Sequence, residues 1–324
     1  MRLPVVLPLR LADFERRGFR TDRPEARAVL ERAATSFIAG YNVAARSSST
    51  ENSHRDLQDF ADEHRGFGYE GAGMHAALAD LTSPRAPAAL RSLAAGPGQD
   101  YSYLIHVGAG WPLSLLRVPY VLRLPTTPLL RWLAVDGAAF GAVFFGGQRV
   151  LRRICDARPG PLWRTRVAGA GRAAWFQQSA DVAGVARLIG EQNPAAAADL
   201  WAGIGLACGY AGPTDAAGRA ALREASGRHL DWLRQGVLFA AAARDRAGIV
   251  PPHTRDACRE LVGIDVEQAT RWADDACADL LHREDVAGYD LWRDRLIQRA
   301  ARQPMTGDAY VADSGTGAGS WGVA

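Results

Sequence analysis

Glu70, His75 and His106 are the ionisable residues of this sequence whose setting could support chemistry. Each lies in or beside a glycine-rich, apolar stretch: Tyr69-Glu70-Gly71-Ala72-Gly73-Met74-His75 and His106-Val107-Gly108-Ala109-Gly110-Trp111. A carboxylate inside such a stretch needs a partner, because burying it alone is costly. Arg65 is one candidate. His106 is another, and Glu70 with His106 would make an acid/base pair if two helices bring them together. Glu70 and His75 are five residues apart, about 140° around a helix, so they do not share a face. The plainer reading of each histidine is a hydrogen-bonded core or surface residue.

The glycines around Glu70 spell something else at first sight. Gly66, Gly68 and Gly71 stand in G-x-G-x-x-G order, the fingerprint of a dinucleotide-binding turn. That turn needs a buried strand before it and a helix after it. The residues before Gly66 are Asp62-Glu63-His64-Arg65, polar and charged, and read as the end of a helix. A phosphate-binding role is therefore rejected.

The same pattern returns later in the chain. Tyr69-Glu70-Gly71-Ala72-Gly73-Met74 aligns with Trp201-Ala202-Gly203-Ile204-Gly205-Leu206, and Gly108 and Gly137 align with Gly236 and Gly263. Successive anchors are 37 and 29 residues apart in the first copy and 33 and 27 in the second. The period is too long for a solenoid and suggests duplication. The glycines then read as a small-residue packing face, since each otherwise costs a helix about 1 kcal/mol against alanine. The second copy carries Ala202, Ala207 and Arg234 where the first has Glu70, His75 and His106, which puts the chemistry in the first copy. Aromatic residues gather there too: Phe67, Tyr69, Trp111, Trp132, Phe140, Phe144 and Phe145. Tyr69, Gly71, Gly73, Trp111, Phe140 and Phe144 are the candidate contacts for an apolar, flat ligand.

Helical signals dominate the elements that must position these residues. Pro24-Glu25 after Asp22 starts a helix that runs to about Ala45, with a loop over Arg46 to Ser53 and a short helix over Asp56 to Arg65. Ser83-Pro84 starts another, ended by Gly96-Pro97-Gly98. Thr254 and Asp265 cap helices, and a last one runs from about Asp285 to Arg302. Tyr120 to Leu124 and Trp163 to Val167 are the only strand candidates. The expected class is mainly α, with two pseudo-repeated helical halves packed about a pseudo-twofold axis: residues 1–150 and 151–302. The tail, 303–324, is rich in Gly, Ser, Thr and Asp and is expected to be disordered.

Composition excludes several classes. The 324 residues carry a net charge of +3 and no basic block, so no nucleic-acid partner is expected. All 38 basic residues are arginine. Without lysine there is no Schiff-base site for pyridoxal phosphate and no P-loop lysine. The four cysteines form no C-x-x-C pair and read as reduced, buried thiols of a cytoplasmic protein. No G-x-S-x-G or H-E-x-x-H occurs. His229-Leu230-Asp231 spells H-x-D, but on a helix these point apart. No metal and no cofactor is expected. The N-terminus lacks a signal-peptide core, and the longest apolar run, Leu133 to Gly147, is too short and glycine-rich for a membrane span.

Several of these stretches, together with Phe37-Ile38-Ala39-Gly40-Tyr41-Asn42, Asp136-Gly137 and Leu200 to Leu206, resemble the UnbL-type enediyne biosynthesis proteins, a family with a domain of unknown function. The resemblance runs from about Leu11 to Arg302. It implies a setting rather than a reaction. Such proteins accompany an iterative polyketide synthase, its thioesterase, a membrane protein and a large secreted-looking protein that together turn a linear polyene into the enediyne core. The resemblance brings no established catalytic residues. Two roles stay open: an enzyme acting on an apolar polyene-type molecule through Glu70 and His106, or a non-catalytic polyene-binding or scaffold protein that docks a membrane partner. In either case the expected location is cytoplasmic, peripheral to the membrane only through that partner.

Overall fold

In the computed structural model, residues 5–82, 88–116 and 127–304 are described, with the side chains of 114–116 excepted. They form α1 (Phe14–Arg17), α2 (Pro24–Arg46), α3 (Thr50–Gln58), α4 (Asp62–Thr82), α5 (Ala89–Leu93), α6 (Ser102–Gly108), α7 (Trp111–Leu116) and α8 (Leu133–Cys155). The second part of the chain continues with α9 (Trp163–Gln177), α10 (Val182–Gly190), α11 (Ala197–Ala211), α12 (Ala216–Ser226), α13 (Leu230–Arg246), α14 (Pro252–Ala257), α15 (Val266–Cys277) and α16 (Val286–Ala301). No strand occurs among the described residues, so the class is mainly α.

Packing follows chain order. Helices α2, α4, α6, α8, α9, α11 and α13 each lie against the next, and α16 closes the series against α13 and the short turn before α8. Glycine sets the distance between neighbours. A Cβ on Gly71 would overlap the carbonyl oxygen of Phe37, and one on Gly40 that of Gly68. Gly73 meets Ile105 and Gly108 meets Glu70 in the same reciprocal way. So do Gly110 with Ala134 and Gly137 with Val107, then Gly171 with Leu200 and Gly203 with Ala168, then Gly205 with Leu233 and Gly236 with Ala202. In every pair the carbonyl belongs to the residue three before the partner's glycine, so five steps of the series share one geometry. Backbones this close can form Cα–H···O contacts, worth perhaps 0.5–1 kcal/mol each. That offsets much of the roughly 1 kcal/mol a helical glycine costs.

Two of the aligned sequence anchors thus share a junction geometry: Gly71 with Gly203, and Gly108 with Gly236. The third does not. Gly137 sits inside α8, whereas Gly263 has φ 85 and closes the π-helical turn Cys258–Val262. The contact recurs helix by helix, at a shorter repeat than the paired anchors suggest.

Other local expectations are corrected. Asp62 to Arg65 begin α4, with Gly66, Gly68 and Gly71 inside it; the preceding helix is Thr50–Gln58, capped by Ser49. The apolar run Phe67 to Met74 carries helix formation on through Thr82, past the point where the glycines alone would end it. Trp163 to Val167 open α9 and are not a strand, and Tyr120 to Leu124 lie outside the described residues. Gly96 to Tyr101 form a 3-10 turn after α5. Thr254 lies within α14 and gives its hydroxyl hydrogen to the Gly209 carbonyl instead of capping. Asp265 and Asp285 do cap α15 and α16, accepting from Gln268 N and Gly288 N. Ser83-Pro84 and residues 305–324 lie outside the described residues. The four thiols are free and buried. The apolar segment Leu129–Cys155 is long and apolar enough to cross a membrane by length and composition, but 72% of its most apolar window is packed inside the fold.

Candidate functional site

The inward faces of α2, α4, α6, α8, α9, α11 and α13, with α16, line one interior cavity. Helical spacing decides which residues reach it. On α4 these are Phe67, Glu70 and Met74, at i, i+3 and i+7. On α6 they are Tyr103, Leu104 and Val107, and on α8 Leu133, Asp136, Phe140, Phe144 and Phe145. Space open to the centre of a water-sized sphere is about 100 Å³, against the roughly 10–15 Å³ one water needs. The walls are almost wholly aliphatic and aromatic. Trp111 packs against Phe37, Phe140, Phe144 and Phe145, with ring centroids 4.2, 5.3, 6.2 and 5.8 Å away.

Three charged groups interrupt this apolar surface. Glu70, Asp136 and Arg172 are each more than nine-tenths buried. Glu70 Oε1 accepts a hydrogen bond from Trp111 Nε1 at 3.3 Å. Arg172 pairs with Asp136 through Nη2 and Oδ1, and its guanidinium lies 4.9 Å from the centroid of Phe140. Burial pushes the Glu70 carboxyl up to about 7; Arg172 and the Trp111 hydrogen bond pull it back, and Asp136 adds to the rise. Asp136 is also raised by burial, against the pull of Arg172 and Arg293. The physical cause is plain: one guanidinium faces two carboxyls in a medium that penalises charge. Burial thus moves Glu70 out of the ordinary carboxylate range towards neutrality, where a carboxyl can both give and take a proton.

The other sequence candidates distribute differently. His106 is buried but points away from the cavity. Its Nδ1 meets the Ser102 carbonyl at 2.6 Å, and burial lowers its pKa to about 4. It makes no hydrogen bond or ion pair with Glu70 among the described residues, so the two do not form an acid/base pair. The reason is helical phase: Tyr103, Leu104 and Val107 face in, which turns His106 out. His75 stands edge-on to the Tyr41 ring at 5.4 Å, with its pKa lowered by burial, away from the cavity lining. Tyr69 belongs to a second apolar cluster on the outer side of α4. It stacks on Tyr101 at 4.2 Å, and its hydroxyl meets His54 Nδ1 at 3.0 Å. Gly71 and Gly73 pack on backbone, with no room for a ligand beside them. Arg65 pairs with Asp62 rather than Glu70. Of the proposed contacts, Trp111, Phe140 and Phe144 line the cavity together with Glu70.

Asp136 and Arg172 were missed as site residues. Each had a signal: a lone acid in the most apolar run of the chain, and a lone cation in the alanine-glycine run of α9. A charge buried in such a run needs a partner, and here each is the other's. Tyr210, also in the lining, has a buried hydroxyl with no hydrogen-bond partner among the described residues. No group of three metal-ligating side chains occurs among the described residues.

A family model described as "Protein of unknown function (DUF1702)" matches residues 3–300. The chain belongs to the DUF1702 family. Comparisons with curated proteins and with solved structures find no match. The family match spans the described helices of this DUF1702 chain, save the last residue of α16, and every residue of the cavity, so the cavity belongs to the family domain itself.

Proposed function

We propose that this protein serves enediyne core biosynthesis by holding a long conjugated polyene-derived intermediate in the interior cavity and rearranging it by acid/base chemistry at Glu70. The observation that carries this reading is the Glu70 carboxyl buried in a mostly aliphatic and aromatic cavity, where burial raises its pKa to about 7. An apolar, flat chain fits those walls. The sequence resemblance to enediyne biosynthesis proteins supplies the substrate class.

The step is an isomerisation. Glu70 in its acid form gives its proton to a carbon of the conjugated chain, forming one C–H bond. The cation so formed loses a proton from another carbon to the Glu70 carboxylate, breaking one C–H bond. Double bonds shift between the two carbons, and no electron is lost or gained. Asp136 balances the Arg172 charge while Glu70 cycles.

A second reading, a non-catalytic protein that shields the polyene and docks a membrane partner from the cytoplasm, draws on one observation: His106 makes no hydrogen bond with Glu70 among the described residues, so the carboxyl lacks the second acid/base group that the sequence suggested. Glu70→Gln separates the two, because it keeps the shape and removes the proton. The enzyme reading expects polyene still bound and product lost, by roughly 10²–10⁴-fold for one acid/base group. Product formed at the wild-type rate refutes it and leaves the holder.

A further inference from the structure

Beside the cavity lies a second, polar cleft. It is lined by Arg17, Arg20, Arg187, Gln148, Gln177 and Asp181, with Phe19 and Gly147. Three guanidiniums there face one carboxylate. Asp181 is already taken, paired with Arg20 and accepting from the Gly184 amide. Arg20 is further held by Asp22. Arg17 and Arg187 have no carboxylate partner among the described residues, and Arg17 Nε is buried without an acceptor. Gln177 is 5% exposed; its Nε2 donates to the Val143 carbonyl and its Oε1 has no donor. Arg187 is exposed and Arg17 half-buried; the two guanidiniums can donate to an anion there, and the unpaired Gln177 oxygen can accept from a water beside it.

The cleft and the cavity share a wall. Phe19 of the cleft meets Phe144 of the cavity edge-on at 5.0 Å. Gln177 follows Phe176, whose ring lines the cavity. Arg17 spans both sides: it lines the cleft, and its guanidinium stands 5.2 Å from the centroid of Phe145, a cavity ring 39% exposed to solvent. The α8 helix breaks beside this wall, with Gly147 at φ 65 and ψ −160. From Phe145 the aromatic path leads through Trp111 directly to Glu70.

We propose that the cavity and the cleft form one amphiphile site, in which a conjugated apolar chain lies along the Phe145–Trp111–Glu70 path and its anionic end, a carboxylate or a phosphate ester, is bound by Arg17 and Arg187. The inference rests on the chain-binding reading above and adds the head group. A guanidinium binds such oxygens in paired, charge-assisted hydrogen bonds.

The test uses trans-parinaric acid, a conjugated tetraene fatty acid, and its methyl ester, whose fluorescence reports binding directly. Both are titrated into the full chain at about pH 7.5, where the acid is ionised. The acid is expected to bind roughly tenfold more tightly than the ester, the size of one charged hydrogen bond. Arg17→Gln with Arg187→Gln should remove that advantage and leave the ester's affinity unchanged, which also shows that the variant is folded. Equal binding of acid and ester by the wild-type chain overturns the head-group site while leaving the chain reading intact. So does a double variant that still prefers the acid. Failure of both probes to bind overturns the chain reading, and this inference with it.

Discussion

Replacing Glu70 by Gln turns the electrostatics of the cavity into a stability measurement. Burial raises the Glu70 carboxyl from 4.5 to about 7. In the unfolded chain it returns to its ordinary value. Between those values the folded protein holds a proton that the unfolded chain has lost, so the unfolded state binds fewer protons and stability falls as pH rises. Each pKa unit is worth about 1.36 kcal/mol, so the window from about pH 4 to about pH 8.5 carries a penalty of about 3 kcal/mol. Gln cannot titrate and removes it. The expected result is a variant that gains about 3 kcal/mol on the wild type across that window, whatever constant offset the new amide brings. Urea unfolding of both proteins at several pH values reads it, because titrations not coupled to Glu70, such as the lowered pKa of His106, cancel in the difference. A difference that stays flat across the window would refute the claim that Glu70 is a desolvated, near-neutral carboxyl.

Arg172→Met leaves Asp136 buried without its cation and should cost about 3–5 kcal/mol; adding Asp136→Asn should recover most of that, as a double-mutant cycle by urea unfolding will show. Gly108→Ala puts a methyl onto the Glu70 carbonyl and should destabilise by at least about 1–3 kcal/mol. Gly160→Ala meets nothing within 4 Å and should stay within about 0.5 kcal/mol of the wild type by the same assay.

The helical class was readable because amphipathic spacing and capping residues recur, as at Asp265 and Asp285. The glycines were read correctly as a packing device, but only the structure shows that it is used at successive steps of the helix series. Its contact partners are backbone carbonyls, which leave no trace in residue identity. For the site, Glu70, Trp111, Phe140 and Phe144 were legible as unusual residues in apolar surroundings. His106 and Tyr69 were not separable from them, since their fate depends on helical phase: one residue's shift around α4 or α6 moves a side chain from the cavity to the outer cluster. The pair Asp136 and Arg172 lies 36 residues apart in the sequence, and no local pattern joins them. Arg17 and Arg187 are farther apart still, brought together by the packing of α1 and α10 around the end of α9.

The proposal that the interior cavity holds a conjugated chain has a direct test. Native mass spectrometry of the protein purified from a host that makes the linear polyene tests it most directly, with the cavity-filling variant Ala207→Phe alongside. The expected result is a 1:1 adduct with the mass and the absorption spectrum of a polyene on the wild type, and its loss from a folded Ala207→Phe protein. A wild-type protein that emerges without an adduct, or a variant that carries the polyene equally well, would contradict it.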